Sequence, residues 1–184
     1  MHFSDEPLGA RCNPIVTTSS IFLSENLLVP RLPLQFMSDS ARYSGEFSLL
    51  AVGDSMVFER LSVFKEQEFL RVREILKSAD VAFTNFETIM RNGKGFPRHK
   101  ADPTVWLSSA PFALDELKWM GFRLFSLANN HSMDYSEAGL MENLKIFEKS
   151  RVTFAGVGRN LSEARTAAYL NTSNARVGLV AMNT

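Results

Sequence analysis

The sequence predicts an α/β fold in which a mostly parallel sheet is covered by helices on its faces. From Phe47 onward, short apolar segments of strand length alternate with amphipathic segments of helix length, as in domains built from β-α-β units. The connections between them are short, which favours parallel strands joined by helices. The 184 residues, 45% hydrophobic and 22% charged, suffice for one domain with a sizeable core or for part of a larger domain.

The elements of the first half follow in order. Residues 1–46 are predicted to form an irregular arm, because prolines and serines interrupt any sustained period. The regular pattern begins with FSLLAVGD, an apolar run that ends in Gly53-Asp54 as a buried strand would. FKEQEFLRVREILKSAD is predicted to be a helix, and VAFTNFE is predicted to be the second strand. The apolar side chains of this helix recur at helical spacing: Phe64, Phe69, Val72, Leu76 and Ala79.

The second half continues the alternation after a polar loop, RNGKGFPRHKADP. APFALDELKWMG is predicted to be a helix with Pro111 near its start and Gly121 past its end. FRLFSLANN is predicted to be the third strand, followed by the helix SEAGLMENLKIFEKS with Leu140, Leu144 and Phe147 on one side. VTFAGVG, LSEARTA and RVGLVAMN are predicted to form the fourth strand, a short helix and the fifth strand.

Charge and composition restrict the partners of the chain. Twenty basic and twenty acidic residues cancel, so no overall field attracts nucleic acid or an anionic membrane. The single Cys12 forms no internal disulfide, which fits a reducing compartment. No segment has the roughly 18 to 20 apolar residues that span a bilayer, and the N-terminal sequence does not resemble a secretory signal. We therefore expect a soluble, cytoplasmic chain without a membrane segment.

Polar residues that are unusual in strand interiors fall where the predicted strands end. The carboxyl ends of parallel strands meet at one edge of a sheet, and ligands of open α/β sheets bind there. We therefore expect these residues to converge on one rim although they are distant in sequence. They are Asp54 after the first strand, Asn85 and Glu87 after the second, Asn129, Asn130 and His131 after the third, and Gly156, Val157, Gly158 and Asn160 after the fourth.

Each of these groups also has a purely structural interpretation. Gly53-Asp54 is typical of a turn and a helix cap. Asn85 and Glu87 after the second strand also suit a solvated strand end. The Asn-Asn-His trio also suits a tight turn, although one asparagine would be enough for that. Gly156-x-Gly158 lacks a complete phosphate-binding fingerprint and is interpreted as a tight turn that lets two backbones approach.

If the rim forms, its side chains suit metal-assisted hydrolysis. The carboxylates of Asp54 and Glu87 and the amide oxygen of Asn130 are hard ligands suited to Mg²⁺ or Mn²⁺, and the imidazole of His131 widens the range to Zn²⁺ or Fe. A histidine beside such a cation can protonate a leaving group. A local basic run is either solvated surface or a site for an anionic substrate; it consists of Arg91, Lys94, Arg98, His99 and Lys100.

Four segments together resemble the CapA family of poly-γ-glutamate capsule synthesis proteins, within the calcineurin-like metallophosphoesterase superfamily. In chain order they are LLAVGDSM, ADVAFTNFET, LDELKWMGFRLFSLANNHSMDYSEAGL and VTFAGVGRNLSEAR. The resemblance covers about Phe47 to Thr184, and ANNHSMDY is its most specific part. It implies an α/β/β/α sandwich with a metal site at the strand ends, and it makes residues 47–184 the first half of such a domain, apparently truncated.

The resemblance also implies roles for individual residues. Asp54, Glu87 and Asn130 take the positions of metal ligands, with Glu87 bridging, and His131 that of the catalytic histidine beside the phosphate. Asn85 would orient Glu87, and Asn129 would support the same ligands. Many superfamily members carry a histidine two residues after the first aspartate, whereas this chain has Met56, as is usual in CapA-like sequences. The additional histidine ligands of the family lie in later strands.

Two kinds of function follow. The first is a metal-dependent phosphoesterase-type hydrolase domain acting on an anionic small molecule or polymer in capsule or poly-γ-glutamate synthesis. The second is a non-catalytic factor that binds the polymer or assists its export, with an inactive truncated form of either as a third reading. Family members are often membrane-anchored with the domain outside the cell, whereas nothing in this sequence suggests an anchor.

Overall fold

The structure is a computed structural model that describes residues 46–99 and 105–183. The predicted arm, residues 1–46, lies almost entirely outside the described residues. Within them, strands and helices alternate as the sequence predicts. The strands are β1 (Leu49–Ser55), β2 (Val81–Phe86), β3 (Ile89–Met90), β4 (Ser108–Ser109), β5 (Phe122–Ser126), β6 (Thr153–Ala155), β7 (Ala168–Asn171) and β8 (Arg176–Leu179). The α-helices are α1 (Gln67–Ser78), α2 (Phe112–Met120), α3 (Ser136–Ser150) and α4 (Leu161–Ala164), and a 3-10 turn covers Leu61–Val63.

The main sheet contains four strands in the order β1-β2-β5-β6, and every neighbouring pair is parallel. All four therefore end at the same edge of the sheet, which confirms the predicted rim of strand ends. Strands β3 and β4 form a two-residue parallel ladder that flanks the predicted polar loop, residues 91–103. Strands β7 and β8 form a separate antiparallel hairpin.

The helices cover one face of the main sheet and the hairpin covers the other. On the helical side, Phe147 of α3 lies edge-on to Phe86 and Phe125, with ring centroids 5.3 and 5.6 Å apart. On the hairpin side, Val81 and Leu124 of the sheet pack with Leu179 of β8. Alternate residues of a strand point to opposite faces, so β2 and β5 contribute side chains to the apolar core on both the helical side and the hairpin side of the sheet. The mixed α/β layers are consistent with a partial metallophosphoesterase-like fold.

Two expectations about the layers are wrong. The apolar pattern suggested helices on both faces, but one face carries the β7–β8 hairpin, which is compatible with the second β layer of an α/β/β/α sandwich; its strand AYLN was not predicted. Strand β1 was predicted to be buried, yet four of its seven residues are exposed. It lies at the end of the strand order and, within the described ranges, pairs only with β2.

The helices match the predictions closely. Helix α2 begins after Pro111 and ends at Gly121, whose φ of 117° is left-handed, as a glycine there allows. Helix α3 has the predicted bounds and buries Leu144 and Phe147. Helix α1 begins at Gln67, later than predicted, and Val72 on its expected apolar face is exposed. Among the described residues, no helix combines the length and apolar character needed to cross a membrane.

Candidate functional site

The ends of β1 and β2 bring the first two groups of predicted residues together. The pairing register shifts between Ala51 and Asp54, so that Asp54 lies opposite Asn85. The Thr84 hydroxyl supports this irregularity by donating a hydrogen bond to the Gly53 carbonyl at 2.7 Å. A shift of this kind redirects the side chains that follow it. The Asn85 amide then donates to the Asp54 carboxylate at 2.7 Å.

Asp54 and Glu87 form a carboxyl pair at the rim. Hydrogen bonds with Glu87 and then with Asn85 lower the pKa of Asp54. Burial, the hydrogen bond with Asp54 and the charge of Asp54 raise the pKa of Glu87, whereas the nearby His131 lowers it. Ionisation of Glu87 beside Asp54 is therefore unfavourable. Two carboxyl groups in this arrangement repel each other when both are ionised, and a cation between them would relieve that repulsion.

Asn129 connects the end of β2 to the turn that carries the histidine. Its buried amide nitrogen donates to the Phe86 carbonyl at 2.9 Å and to the Asn85 side-chain oxygen at 3.2 Å. Its side-chain oxygen accepts a hydrogen bond from the backbone N–H of His131 at 3.0 Å. Asn130 is exposed beside it. The trio thus forms a turn, and the turn also places His131 beside the carboxyl pair.

His131 lies between two acidic side chains. Its Nδ1 is 2.7 Å from the Asp134 carboxylate, and its Nε2 is 3.9 Å from the Glu87 carboxylate. An ionised Asp134 carboxylate would only accept hydrogen bonds, which favours the tautomer with the hydrogen on Nδ1. This contact fixes the ring so that Nε2 faces the Asp54–Glu87 pair.

Asp134 is the site residue that sequence reasoning missed. It is completely buried, and the carboxylate oxygen that contacts His131 also accepts the backbone N–H of Leu107 at 2.7 Å. The available signal was its position three residues after His131, since a carboxylate is a common partner for the second nitrogen of a functional histidine.

The basic loop reaches the same region through its backbone. The N–H of Arg98 donates to the Asp134 carbonyl at 2.8 Å, so the loop runs beside the histidine turn. The Arg91 guanidinium lies 3.8 Å from the centroid of the Tyr135 ring, which gives that arginine a structural role. Arg98 and His99 are exposed, and Lys100 lies outside the described residues.

The Gly156–Asn160 segment is structural. Gly156 has a φ of 101°, and a Cβ there would lie 2.5 Å from the Cβ of Ala128. This confirms a tight turn at which two backbones approach closely. The Asn160 side chain caps α4 by accepting the N–H of Glu163 at 2.9 Å.

The donor chemistry of the rim fits part of a divalent-cation site. Carboxylates and amide oxygens suit hard cations, and the Asp54–Glu87 pair supplies two such ligands. Across residues 46–99 and 105–183, no set of three or more His, Cys, Asp or Glu side chains is arranged to hold a metal ion. A complete coordination shell therefore needs amide oxygens or groups beyond this set.

Comparisons with known proteins identify the family. The family model described as "Bacterial capsule synthesis protein PGA_cap" matches residues 48–184. The chain is 35% identical over 141 residues to the uncharacterized protein y4sH of Sinorhizobium fredii, covering 75% of this chain and 30% of that protein. It is 27% identical over 143 residues to the capsule biosynthesis protein CapA of Bacillus anthracis, covering 74% and 34% of the two chains. It is also 31% identical over 119 residues to the PGA biosynthesis protein CapA of Bacillus subtilis, covering 62% and 31%. The chain thus spans about a third of the length of these relatives.

Proposed function

This chain belongs to the family of bacterial capsule synthesis proteins, and we propose that it forms part of a metal-dependent, phosphoesterase-type hydrolase domain. We place its action in the synthesis of capsule, with poly-γ-glutamate as the polymer concerned. The observation that carries the proposal is the convergence of the Asp54–Glu87 pair and the His131–Asp134 pair on one rim.

In this proposal each side chain has a separate task. Asp54 and Glu87 hold a divalent cation, Mn²⁺ or Mg²⁺ by the hardness of the ligands, with Zn²⁺ or Fe as other candidates. The sequence position of Asn130 makes it the third ligand. The chemistry that such a cation supplies is neutralisation of negative charge on a phosphoryl group. Asn85 and Asn129 keep the carboxyl pair and the histidine turn in register through their mutual hydrogen bond.

His131 is proposed to act as the acid. Asp134 holds Nδ1–H, so the proton that can leave is on Nε2, the nitrogen that faces Glu87. That proton would pass to the leaving oxygen of a phosphoester, and the Asp134 carboxylate would stabilise the imidazolium form before transfer. Exposed Arg98, whose backbone N–H donates to the Asp134 carbonyl, would attract an anionic substrate to this side of the rim.

The test combines cation binding with activity. Purified protein is titrated calorimetrically with Mn²⁺, Mg²⁺ and Zn²⁺, and hydrolysis of a generic aryl phosphoester is measured with each cation. We expect Asp54→Ala to abolish cation binding and His131→Ala to retain binding but lose turnover. Exposed His99 offers a matched control, since His99→Ala should change neither property. Absence of cation uptake by the unmodified chain would refute the hydrolase proposal.

A second candidate is a non-catalytic, polymer-binding factor. It is supported by exposed Arg98 beside the histidine turn, since a basic side chain there can contact an anionic polymer without catalysis. Binding of poly-γ-glutamate that survives both Asp54→Ala and His131→Ala would support it. Loss of polymer binding in those two variants, with retention in His99→Ala, would instead favour the hydrolase proposal.

A further inference from the structure

A cationic cavity lies at the edge of the main sheet where β5 and β6 begin, opposite the rim that carries the candidate site. Its volume is about 280 Å³. Lys118, Arg123 and Arg151 line it, together with the apolar side chains of Phe122 and Leu170. Among the described residues that line it, none is acidic. Because the chain as a whole has equal numbers of acidic and basic residues, three cations around one cavity form a distinct local field.

Ion pairing within the protein leaves most of this charge available. The Lys118 ammonium lies 3.6 Å from the Asp115 carboxylate, but both side chains are well exposed, so water and salt screen the pair. Arg123 makes one long hydrogen bond, 3.5 Å, to the backbone carbonyl of Asp80. In the part of the chain that the structure describes, neither Arg123 nor Arg151 forms a salt bridge.

Helix dipoles explain only part of the cluster. Lys118 lies in the last turn of α2, and Arg151 is the residue at which α3 ends, where a cation is favoured. Arg123 lies in a strand and has no such role. Arg151 also has a φ of 59°, a conformation in which helices most often end with glycine. The backbone at this position therefore favours glycine, which has no side chain, yet the arginine found there has a side chain that lines the cavity.

We propose that this cavity binds an oxyanion with two or more negative charges, either a polycarboxylate or a phosphate. The planar guanidinium groups of Arg123 and Arg151 match the paired oxygens of both anions, and Lys118 adds a compact positive charge. Phe122 and Leu170 provide an apolar surface for the aliphatic part of a polycarboxylate. The cavity lies near the lower end of the size range of ligand pockets, about 300 Å³, and therefore accommodates a short segment only.

Binding of two probes to the full chain tests the proposal. One probe is a short γ-linked glutamate oligomer, a choice that rests on the proposed function, and the other is inorganic tripolyphosphate, which does not. We expect calorimetric titration at low salt to show binding of at least one probe. We expect the affinity to fall when ionic strength is raised from about 20 to about 200 mM, because salt screens exposed charges. The probe that binds more tightly identifies the source of the oxyanion.

Three variants locate the site. Arg123→Gln and Arg151→Gly are each expected to weaken binding about tenfold, the effect of losing one charge-assisted interaction. Arg71→Gln, on the exposed side of α1 and outside the cavity, is the matched control and should change affinity less than about twofold. Circular dichroism confirms that each variant is folded.

Two results would overturn the inference. One is the absence of binding of either probe to the unmodified chain at millimolar concentration. The other is an equal loss of affinity in Arg71→Gln and Arg123→Gln, which would mean that the anion responds to the net charge of the protein and does not bind in the cavity. Asp54 lies outside the cavity, so anion binding and cation uptake are independent measurements. Anion binding without cation uptake would refute only the proposed function, and cation uptake without anion binding would refute only this inference.

Discussion

Replacement of Asp134 by asparagine tests the contact that orients the candidate acid. The substitution preserves the size of a completely buried side chain and removes its charge. One carboxylate oxygen accepts hydrogen bonds from His131 Nδ1 and from the Leu107 N–H, each at 2.7 Å. The variant amide oxygen can accept the same two bonds, but as a neutral acceptor.

The expected loss of stability follows from these two bonds. A hydrogen bond to a charged group contributes about 1.5–3 kcal/mol and a neutral one about 0.5–1.5 kcal/mol, so two exchanges lose about 2–3 kcal/mol. For a domain of this size, 1 kcal/mol changes Tm by about 2–4 °C, which predicts a decrease of roughly 4–12 °C. A neutral acceptor also holds the imidazole tautomer less strongly than a carboxylate does, so we expect phosphoester turnover to fall about 10–100-fold.

The measurements separate stability from orientation. Thermal denaturation followed by circular dichroism gives Tm, and nitrogen NMR of the imidazole reports which ring nitrogen carries hydrogen. Asp115→Asn is the matched control, because that carboxylate is on α2 with 75% of its side chain exposed. Its effect should stay within about 0.5 kcal/mol. An equal Tm for Asp134→Asn and Asp115→Asn, with an unchanged His131 tautomer, would refute the reasoning.

Three further substitutions give distinct outcomes. Glu87→Gln should raise Tm of the cation-free protein at pH values above the raised pKa of Glu87, where ionisation beside Asp54 is unfavourable. The gain in Tm should shrink as pH falls through that pKa and vanish below the ordinary pKa of a glutamate, and the variant should lack the stabilisation that Mn²⁺ gives. Glu116→Gln should lower stability by about 1–3 kcal/mol at pH 7. Burial acts to raise the pKa of Glu116, but hydrogen bonds from Ser62 and Arg60 outweigh burial and lower that pKa. The difference in unfolding free energy between variant and unmodified chain, measured in urea titrations, should therefore shrink as pH falls through the lowered pKa of Glu116. Arg151→Gly should raise stability by about 0.5–1 kcal/mol, since glycine tolerates the left-handed φ of 59°, and a lower urea midpoint would contradict this.

Local sequence patterns predicted the helices and the main strands because each obeys a short-range rule. The α3 segment has a consistent apolar face, and the bounds of α2 follow from Pro111 and Gly121. The rim followed from one further rule, that parallel strands end together. Asp54, Asn85, Glu87 and His131 could therefore be assigned to one site before any distance was known, whereas their individual roles as ligand or acid stay predictions.

The remaining features depend on long-range contacts that no local pattern encodes. Strand β7 has the sequence AYLN, which is too short to show alternation, and it becomes a strand because β8 pairs with it. Asp134 looks like one of many turn aspartates until the fold brings Leu107 to the same carboxylate oxygen as His131. The exposure of β1 depends on the order of the strands in the sheet, which apolar content does not reveal.

The two halves of the candidate site are supported very differently, and this difference suggests how the site would respond to a cation. His131 is held by Asn129 and by completely buried Asp134, so its position is fixed by the core. Asp54 lies on the exposed strand β1 and depends on contacts with Asn85 and Glu87. A cation shared by Asp54 and Glu87 would relieve the repulsion that arises between these neighbouring segments when both carboxyl groups are ionised. Cation binding would therefore tighten mainly β1 against β2, while the histidine would need little rearrangement to act.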